Sequence, residues 1–224
     1  MSGGDQLATG SASIARRGSV RNLQELYTVA IALAIAVAIE RLMIGTRLSW
    51  YIVPMLVAFL ATIIPFYHGA MRHLDETYVA RDGKDMRAGG LLSDFVILFV
   101  QACLFFVFAR TLPSAHAAAI SLLVLLAVDV AWGLTVALLI RRNRRVPMAA
   151  LKWVPINLIA VAMLTVLVAV DTGAPPSGHV DQPMAYALAG VSLARSIADF
   201  AVSWSFYFPP RDIGSRIAHV REGP

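Results

Sequence analysis

The sequence predicts an all-α integral membrane protein: six transmembrane helices in one bundle, with both termini in the cytoplasm. Of its 224 residues, 58% are hydrophobic and only 15% are charged, whereas soluble domains carry nearer 25% charged residues. Six apolar runs are long enough to cross a bilayer. Lys and Arg are concentrated in alternate segments between these runs, and this alternation sets the direction of each span.

The apolar runs divide the chain into one membrane domain, 22–210, with a tail at each end. The Gly/Ser-rich, basic residues 1–21 predict a disordered cytoplasmic tail. Residues 211–224 form a second cytoplasmic tail, and 68–90 is the longest polar stretch between spans, predicted to be a cytoplasmic loop. The predicted helices lie at about 23–44, 50–67, 91–108, 115–140, 147–170 and 184–208.

Basic residues fix the predicted topology. Fourteen Lys and Arg residues lie in the two tails and in the loops after helices two and four, against three in the opposite segments. This bias places both termini on the cytoplasmic side. Abundant Ala and Val and an excess of Arg over Lys are typical of a GC-rich bacterial genome, so we expect a bacterial inner membrane.

Several function classes find no support in the sequence. The net charge of +5 comes from basic residues that flank apolar runs, which is not the pattern of a nucleic-acid partner. Cys103 is the only cysteine, so no internal disulfide is possible. We find no nucleotide-binding glycine motif, no serine hydrolase motif and no haem attachment motif. We therefore expect no cofactor and no metal site.

Helix six carries charged residues near its middle, where contact of a charge with lipid is energetically costly. Arg195 and Asp199 lie near its middle, where one charge costs about 2.5–3.5 kcal/mol on insertion scales. They are four residues apart, so they share a helix face and can pair. Ser192, Ser196 and Ser203 fall on the same arc, so this stripe must face protein or water.

A polar layer is predicted across helices four, five and six. Asp129, Asn157 and Asp199 lie at similar depths in the cytoplasmic half, and Arg195 lies about one turn further out. The layer carries one more carboxyl group than guanidinium. One carboxyl group must therefore be protonated, bind a cation or be reached by water. The layer is interpreted as an ion pathway or, alternatively, as an Arg–Asp clamp that fixes helix packing.

Three further sets of residues are candidates for function. Asp94 near the start of helix three is interpreted as an acid stabilised by the helix dipole, with an ion site as the alternative. The weak catalytic candidates are His68, His73, Asp75 and Glu76, for which interfacial salt bridging is the competing interpretation. Anionic lipid headgroups are the expected partners of Arg141, Arg142, Arg144 and Arg145.

The leading functional hypothesis is a small channel or secondary transporter that uses the layer of Asp129, Asn157, Arg195 and Asp199. A homo-oligomer is the alternative to a single chain for enclosing such a path. One alternative is a membrane-embedded enzyme that acts on lipid at the cytoplasmic end of helix two. The other is a non-catalytic membrane sensor or scaffold. No short motif in the sequence decides among them.

Overall fold

The computed structural model describes residues 3–43, 52–79, 88–143, 149–171 and 182–208, and every long element in them is helical. Side chains are described in slightly shorter ranges, from residue 17 in the first segment, 90–138 in the third and 152–171 in the fourth. The elements are α1 Gly3–Met43, α2 Ile52–Leu74, a π-helical turn Asp75–Val79, α3 Ala88–Thr111, α4 Ala115–Asn143, α5 Ala149–Val170 and α6 Gln182–Tyr207.

All six helices are long and apolar enough to span a membrane, with candidate spans of 19 to 28 residues. Among the described residues, the predicted number of helices able to span a membrane is confirmed. Many large apolar side chains, such as those of Leu134, Val170 and Ile197, lie on the outside of the helices. An apolar exterior of this extent fits a multi-pass protein whose outer surface meets acyl chains.

The apolar core is tightest at the end of the bundle where α3 turns into α4. Phe59 of α2 packs against Phe108 of α3, with ring centroids 5.4 Å apart. Leu112 in the turn and Leu122 in α4 have no exposed surface. α2 lies along α6, and α4 lies along α5. Apolar side chains therefore fill this half of the bundle.

The prediction for the N-terminal tail differs from the structure. α1 begins at Gly3, so most of the segment 1–21 that was predicted to be disordered is helical. Once a helix has formed, each added residue gains one backbone hydrogen bond at little cost. The α1 transmembrane segment therefore extends into polar residues that the hydropathy pattern excluded.

Helix two is also longer than predicted. α2 continues past Tyr67 to Leu74, and the π-helical turn carries the chain to Val79. Residues 68–79 are thus helical and not part of a loop. α3 starts at Ala88, three residues before the predicted Leu91. The rest of the predicted loop, the C-terminal tail 211–224 and the loop 172–181 lie outside the described residues.

Candidate functional site

One face of α6 is polar and buried. Ser192, Arg195, Ser196, Asp199 and Ser203 are at most 7% exposed, and their spacing places them on one helical stripe. The Ser196 hydroxyl donates to the backbone carbonyl of Ala61 in α2. As the sequence required, the stripe faces protein and not lipid.

A chain of hydrogen bonds connects this stripe with three other helices. Arg195 Nε donates to Asn157 Oδ1 at 2.6 Å. Asn157 Nδ2 donates to Asp129 Oδ2 at 2.5 Å, and Gln101 Nε2 donates to Asp129 Oδ1 at 2.9 Å. We call Gln101, Asp129, Asn157 and Arg195 the polar relay. It brings α3, α4, α5 and α6 together at one depth.

The orientation of the Asn157 amide follows from its neighbours. A guanidinium can only donate hydrogen bonds, so Arg195 must meet the amide oxygen. The amide nitrogen then faces the Asp129 carboxyl group and donates to it. Both oxygens of Asp129 therefore accept N–H groups, and this arrangement suits an acceptor-only carboxylate.

Arg195 and Asp199 are spaced so that they can pair, but the structure does not place them in direct contact. In the described part of the chain, Arg195 forms no direct ion pair with Asp199 or Asp129. Its guanidinium lies over the ring of Phe66, 4.6 Å from the centroid. Asp199 Oδ2 instead accepts a hydrogen bond from Tyr207 Oη at 3.0 Å. The reason is that α5 presents the Asn157 oxygen to Arg195, while Tyr207 of α6 meets Asp199.

A cavity of about 80 Å³ lies beside the polar relay and has room for several water molecules. It lies between the C-terminal halves of α2, α4 and α6 and the N-terminal halves of α3 and α5, and it is partly open. Its polar and aromatic lining residues are Phe66, His73, Asp94, Gln101, Asp129, Trp132, Trp153, Asn157, Arg195, Asp199 and Tyr207.

Asp94 lies in the same cavity, at the end nearest the connection from α2 to α3. Its Oδ2 accepts from Tyr78 Oη at 2.6 Å and lies 3.1 Å from His73 Nε2. Asp94 is the seventh residue of α3, and only 6% of it is exposed. The sequence predicts that the helix dipole stabilises Asp94 at the start of helix three. In the structure, side chains of the extended helix two contact Asp94 directly.

The other weak catalytic candidates point in different directions. Asp75 accepts from Gln24 of α1 at 2.9 Å, and Glu76 lies 3.3 Å from Arg72 in a salt bridge. The His68 ring packs on Tyr207, with centroids 4.9 Å apart. His68 also borders a second, mainly apolar groove between α1, α2 and α6. The four candidates thus do not form one site.

The predicted lipid-binding arginines are not positioned by the structure. Arg141 and Arg142 lie in the last turn of α4 without described side chains, and Arg144 and Arg145 lie outside the described residues. Within the described residues, no group of three or more His, Cys, Asp or Glu side chains could hold a metal ion.

Sequence reasoning missed several lining residues. Gln101 follows Asp94 by seven residues, and Tyr207 follows Asp199 by eight. Helical spacing alone therefore places Gln101 on the same face of α3 as Asp94, and Tyr207 on the same face of α6 as Asp199. Tyr78 could not be found this way, because its position depends on the π-helical turn. π-Helical turns are rare in proteins as a whole, but those that occur are often found at functional sites.

Comparison of the chain with protein-family models finds no match, and comparisons with curated proteins and with solved structures find none either. The function must therefore be argued from the site itself.

Proposed function

We propose that this chain is a proton-coupled secondary transporter and that Asp129 is its proton-exchanging group. The observation that carries the proposal is the environment of Asp129 inside α4. Its carboxyl group lines the cavity and accepts two amide N–H groups, yet it has no cationic partner in direct contact. Burying a carboxyl group inside a membrane costs free energy, so such groups are rare. Those that occur usually mark a pathway for protons, ions or substrates.

The chemistry around Asp129 favours a proton over a metal cation. Cations such as Na⁺ and Ca²⁺ bind where several oxygen atoms converge. The side chains of Gln101 and Asn157 present nitrogen to Asp129. A proton needs only one carboxyl oxygen and a water molecule to reach it, and the cavity has room for that water.

The packing of the bundle favours a transporter over an open channel. A channel needs a continuous polar path, whereas a secondary transporter opens a central site to each side in turn. The cavity occupies one half of the bundle, and Phe59, Phe108 and Leu122 fill the other half with fully buried apolar side chains. By the Lys and Arg bias, the cavity half is the cytoplasmic one.

The test is proton flux in liposomes that contain the purified full-length protein and a trapped pH-sensitive dye, with a potassium diffusion potential as driving force. Wild type is expected to move protons. Asp129→Asn keeps the size of the side chain but cannot exchange a proton, so it is expected to reduce flux to the rate of empty liposomes. Size-exclusion profile and melting temperature check that the variant folds.

Asp171→Asn is the matched control. Asp171 lies at the opposite end of α5, where its Oδ2 is 2.7 Å from His116 Nδ1, and it does not line the cavity. This variant should carry protons at the wild-type rate. Flux that persists in Asp129→Asn would overturn the proposal, as would a wild type that moves no protons when small polar solutes are supplied as cargo.

A second candidate is a membrane-embedded enzyme that acts on lipid, and the contacts of His73 favour it. A carboxylate orients this ring through Nε2, and Thr77 Oγ1 lies 3.5 Å from Nδ1. An imidazole held between a carboxylate and a hydroxyl group is the arrangement of a general base and its nucleophile. Lipid turnover by wild type and its loss in Thr77→Val would support this function, and an inactive wild type would exclude it.

A further inference from the structure

Two polar atoms on α6 are buried without a hydrogen-bond partner. Arg195 is 7% exposed and Asp199 is 4% exposed. Arg195 uses Nε for Asn157, and Asp199 uses Oδ2 for Tyr207 and also lies near the Ser203 hydroxyl. Arg195 Nη1 and Asp199 Oδ1 meet no partner of normal geometry among the described residues. Buried polar atoms are nearly always hydrogen bonded, because an unsatisfied one is costly.

Both residues line the same cavity. Neither atom is open to solvent in the structure, so the two side chains must turn slightly for one occupant to satisfy both atoms. The guanidinium can only donate and the carboxylate can only accept. The two do not neutralise each other by direct contact, which leaves a positive and a negative group one helical turn apart. The complementary ligand therefore carries an anionic acceptor and a cationic donor on one small skeleton.

The walls of the cavity limit the size of this ligand. A cavity of about 150 Å³ accommodates benzene, so one of about 80 Å³ accommodates a molecule of only a few heavy atoms. Phe66 holds the guanidinium from one side at 4.6 Å. Both oxygens of Asp129 already accept amide N–H groups, whereas Asp199 Oδ1 accepts no hydrogen bond of normal geometry from the described residues.

We propose that Arg195 and Asp199 form a binding subsite for a small zwitterion, whose carboxylate meets Arg195 Nη1 and whose ammonium group meets Asp199 Oδ1. As a statement about cargo, this inference rests on the proposed transport function. The zwitterion occupies the cavity beside Asp129, so the cargo and the proton on Asp129 lie in the same cavity. Glycine is the smallest amino acid with both groups and serves as the probe.

The experiment measures binding of radiolabelled glycine to the purified full-length protein in detergent by equilibrium dialysis. Acetate and methylammonium, which each carry one of the two charges, are tested as competitors. Wild type should bind glycine, and each single-charge competitor should bind at least about tenfold more weakly, because it makes only one of the two charge-assisted contacts.

Arg195→Gln and Asp199→Asn should each weaken glycine binding by at least about tenfold. Arg195→Lys keeps the charge and guards against loss of fold, and it should bind better than Arg195→Gln. Ser192→Ala is the control, since Ser192 is a buried α6 residue with an unpartnered hydroxyl that does not line the cavity. It should bind glycine as wild type does.

The two proposals fail in different ways. Glycine binding that depends on Arg195 and Asp199, together with absent proton flux in the presence of a glycine gradient, would overturn the transport function and support the subsite. Proton flux that depends on Asp129, together with no binding of glycine, acetate or methylammonium, would overturn the subsite and support the transport function. Equal glycine binding by wild type, Arg195→Gln and Asp199→Asn would also overturn the subsite.

Discussion

Asn157 lies between Arg195 and Asp129 and separates them. Its amide accepts from the guanidinium at 2.6 Å and donates to the carboxylate at 2.5 Å. The two charges are therefore coupled through a neutral group instead of forming an ion pair. A direct pair would fix the carboxylate in its ionised state, whereas an amide bridge leaves it able to exchange a proton with water in the cavity.

Replacement of Asn157 by leucine should uncouple the polar relay. Asn157 is 1% exposed, and leucine has a similar size but cannot accept from Arg195 or donate to Asp129. Each buried group that loses its partner costs about 1–3 kcal/mol. Because two buried groups lose a partner, we expect Asn157→Leu to lower the free energy of unfolding by about 2–6 kcal/mol, measured by denaturant unfolding in mixed micelles.

The matched control lies on the same helix. Thr165 is exposed, and its hydroxyl donates to the Val161 carbonyl one turn earlier in α5. Thr165→Val also exchanges a polar for an apolar side chain of similar size, and it should change stability by less than about 0.5 kcal/mol. Equal effects of the two substitutions would contradict a structural role for the amide bridge.

The convergence of Asp129, Asn157 and Arg195 was predictable from depth alone. A helix rises a fixed distance per residue, so counting from the helix ends places side chains at one level. The partner of Arg195 was not predictable. The spacing of Arg195 and Asp199 describes only α6, and the identity of the nearer group depends on which face α5 turns towards it.

The contact of His73 with Asp94 was missed for a different reason. The hydropathy pattern marks where the apolar interior ends, near Tyr67, and it predicts the end of the helix at the same residue. Backbone hydrogen bonds continue through the polar residues that follow, so α2 and its π-helical turn carry His73 and Tyr78 onto the start of α3. Only coordinates reveal this contact, which joins residues 21 positions apart.

Tyr78→Phe should loosen the end of the bundle where helix two meets α3. The substitution removes the 2.6 Å hydrogen bond from Tyr78 to Asp94, so that His73 is the remaining described partner of the Asp94 carboxylate. Amide hydrogen exchange should accelerate in 75–79 and in the first turns of α3, because local opening depends on such contacts. Tyr186→Phe, at an exposed position on α6, should leave exchange unchanged in both segments. Unchanged exchange in Tyr78→Phe would show that the bond does not hold this end together.

Two glycines make a matched pair for testing how closely α2 approaches the aromatic side chains around the cavity. A Cβ at Gly69 would lie 3.3 Å from Tyr207 Oη, whereas a Cβ at Gly190 would meet nothing within 4 Å. Gly69→Ala should displace Tyr207 from Asp199 and lower stability by about 1 kcal/mol. Gly190→Ala should raise it by about 0.5–1 kcal/mol, because alanine loses less backbone entropy in a helix. Thermal unfolding in one detergent compares them, and stabilisation by both substitutions would contradict the close contact.

The direction of insertion can be tested with single cysteines in a Cys103→Ala background. The Lys and Arg bias predicts that the turn between α3 and α4 faces away from the cytoplasm and that the start of α1 faces it. Ser114→Cys lies at an exposed position of that turn, and Gly18→Cys has open space around it in α1. In intact spheroplasts, a membrane-impermeant maleimide should label Ser114→Cys and should label Gly18→Cys only after permeabilisation. The reverse pattern would turn the cavity towards the outside, and the proton would then enter Asp129 from that face.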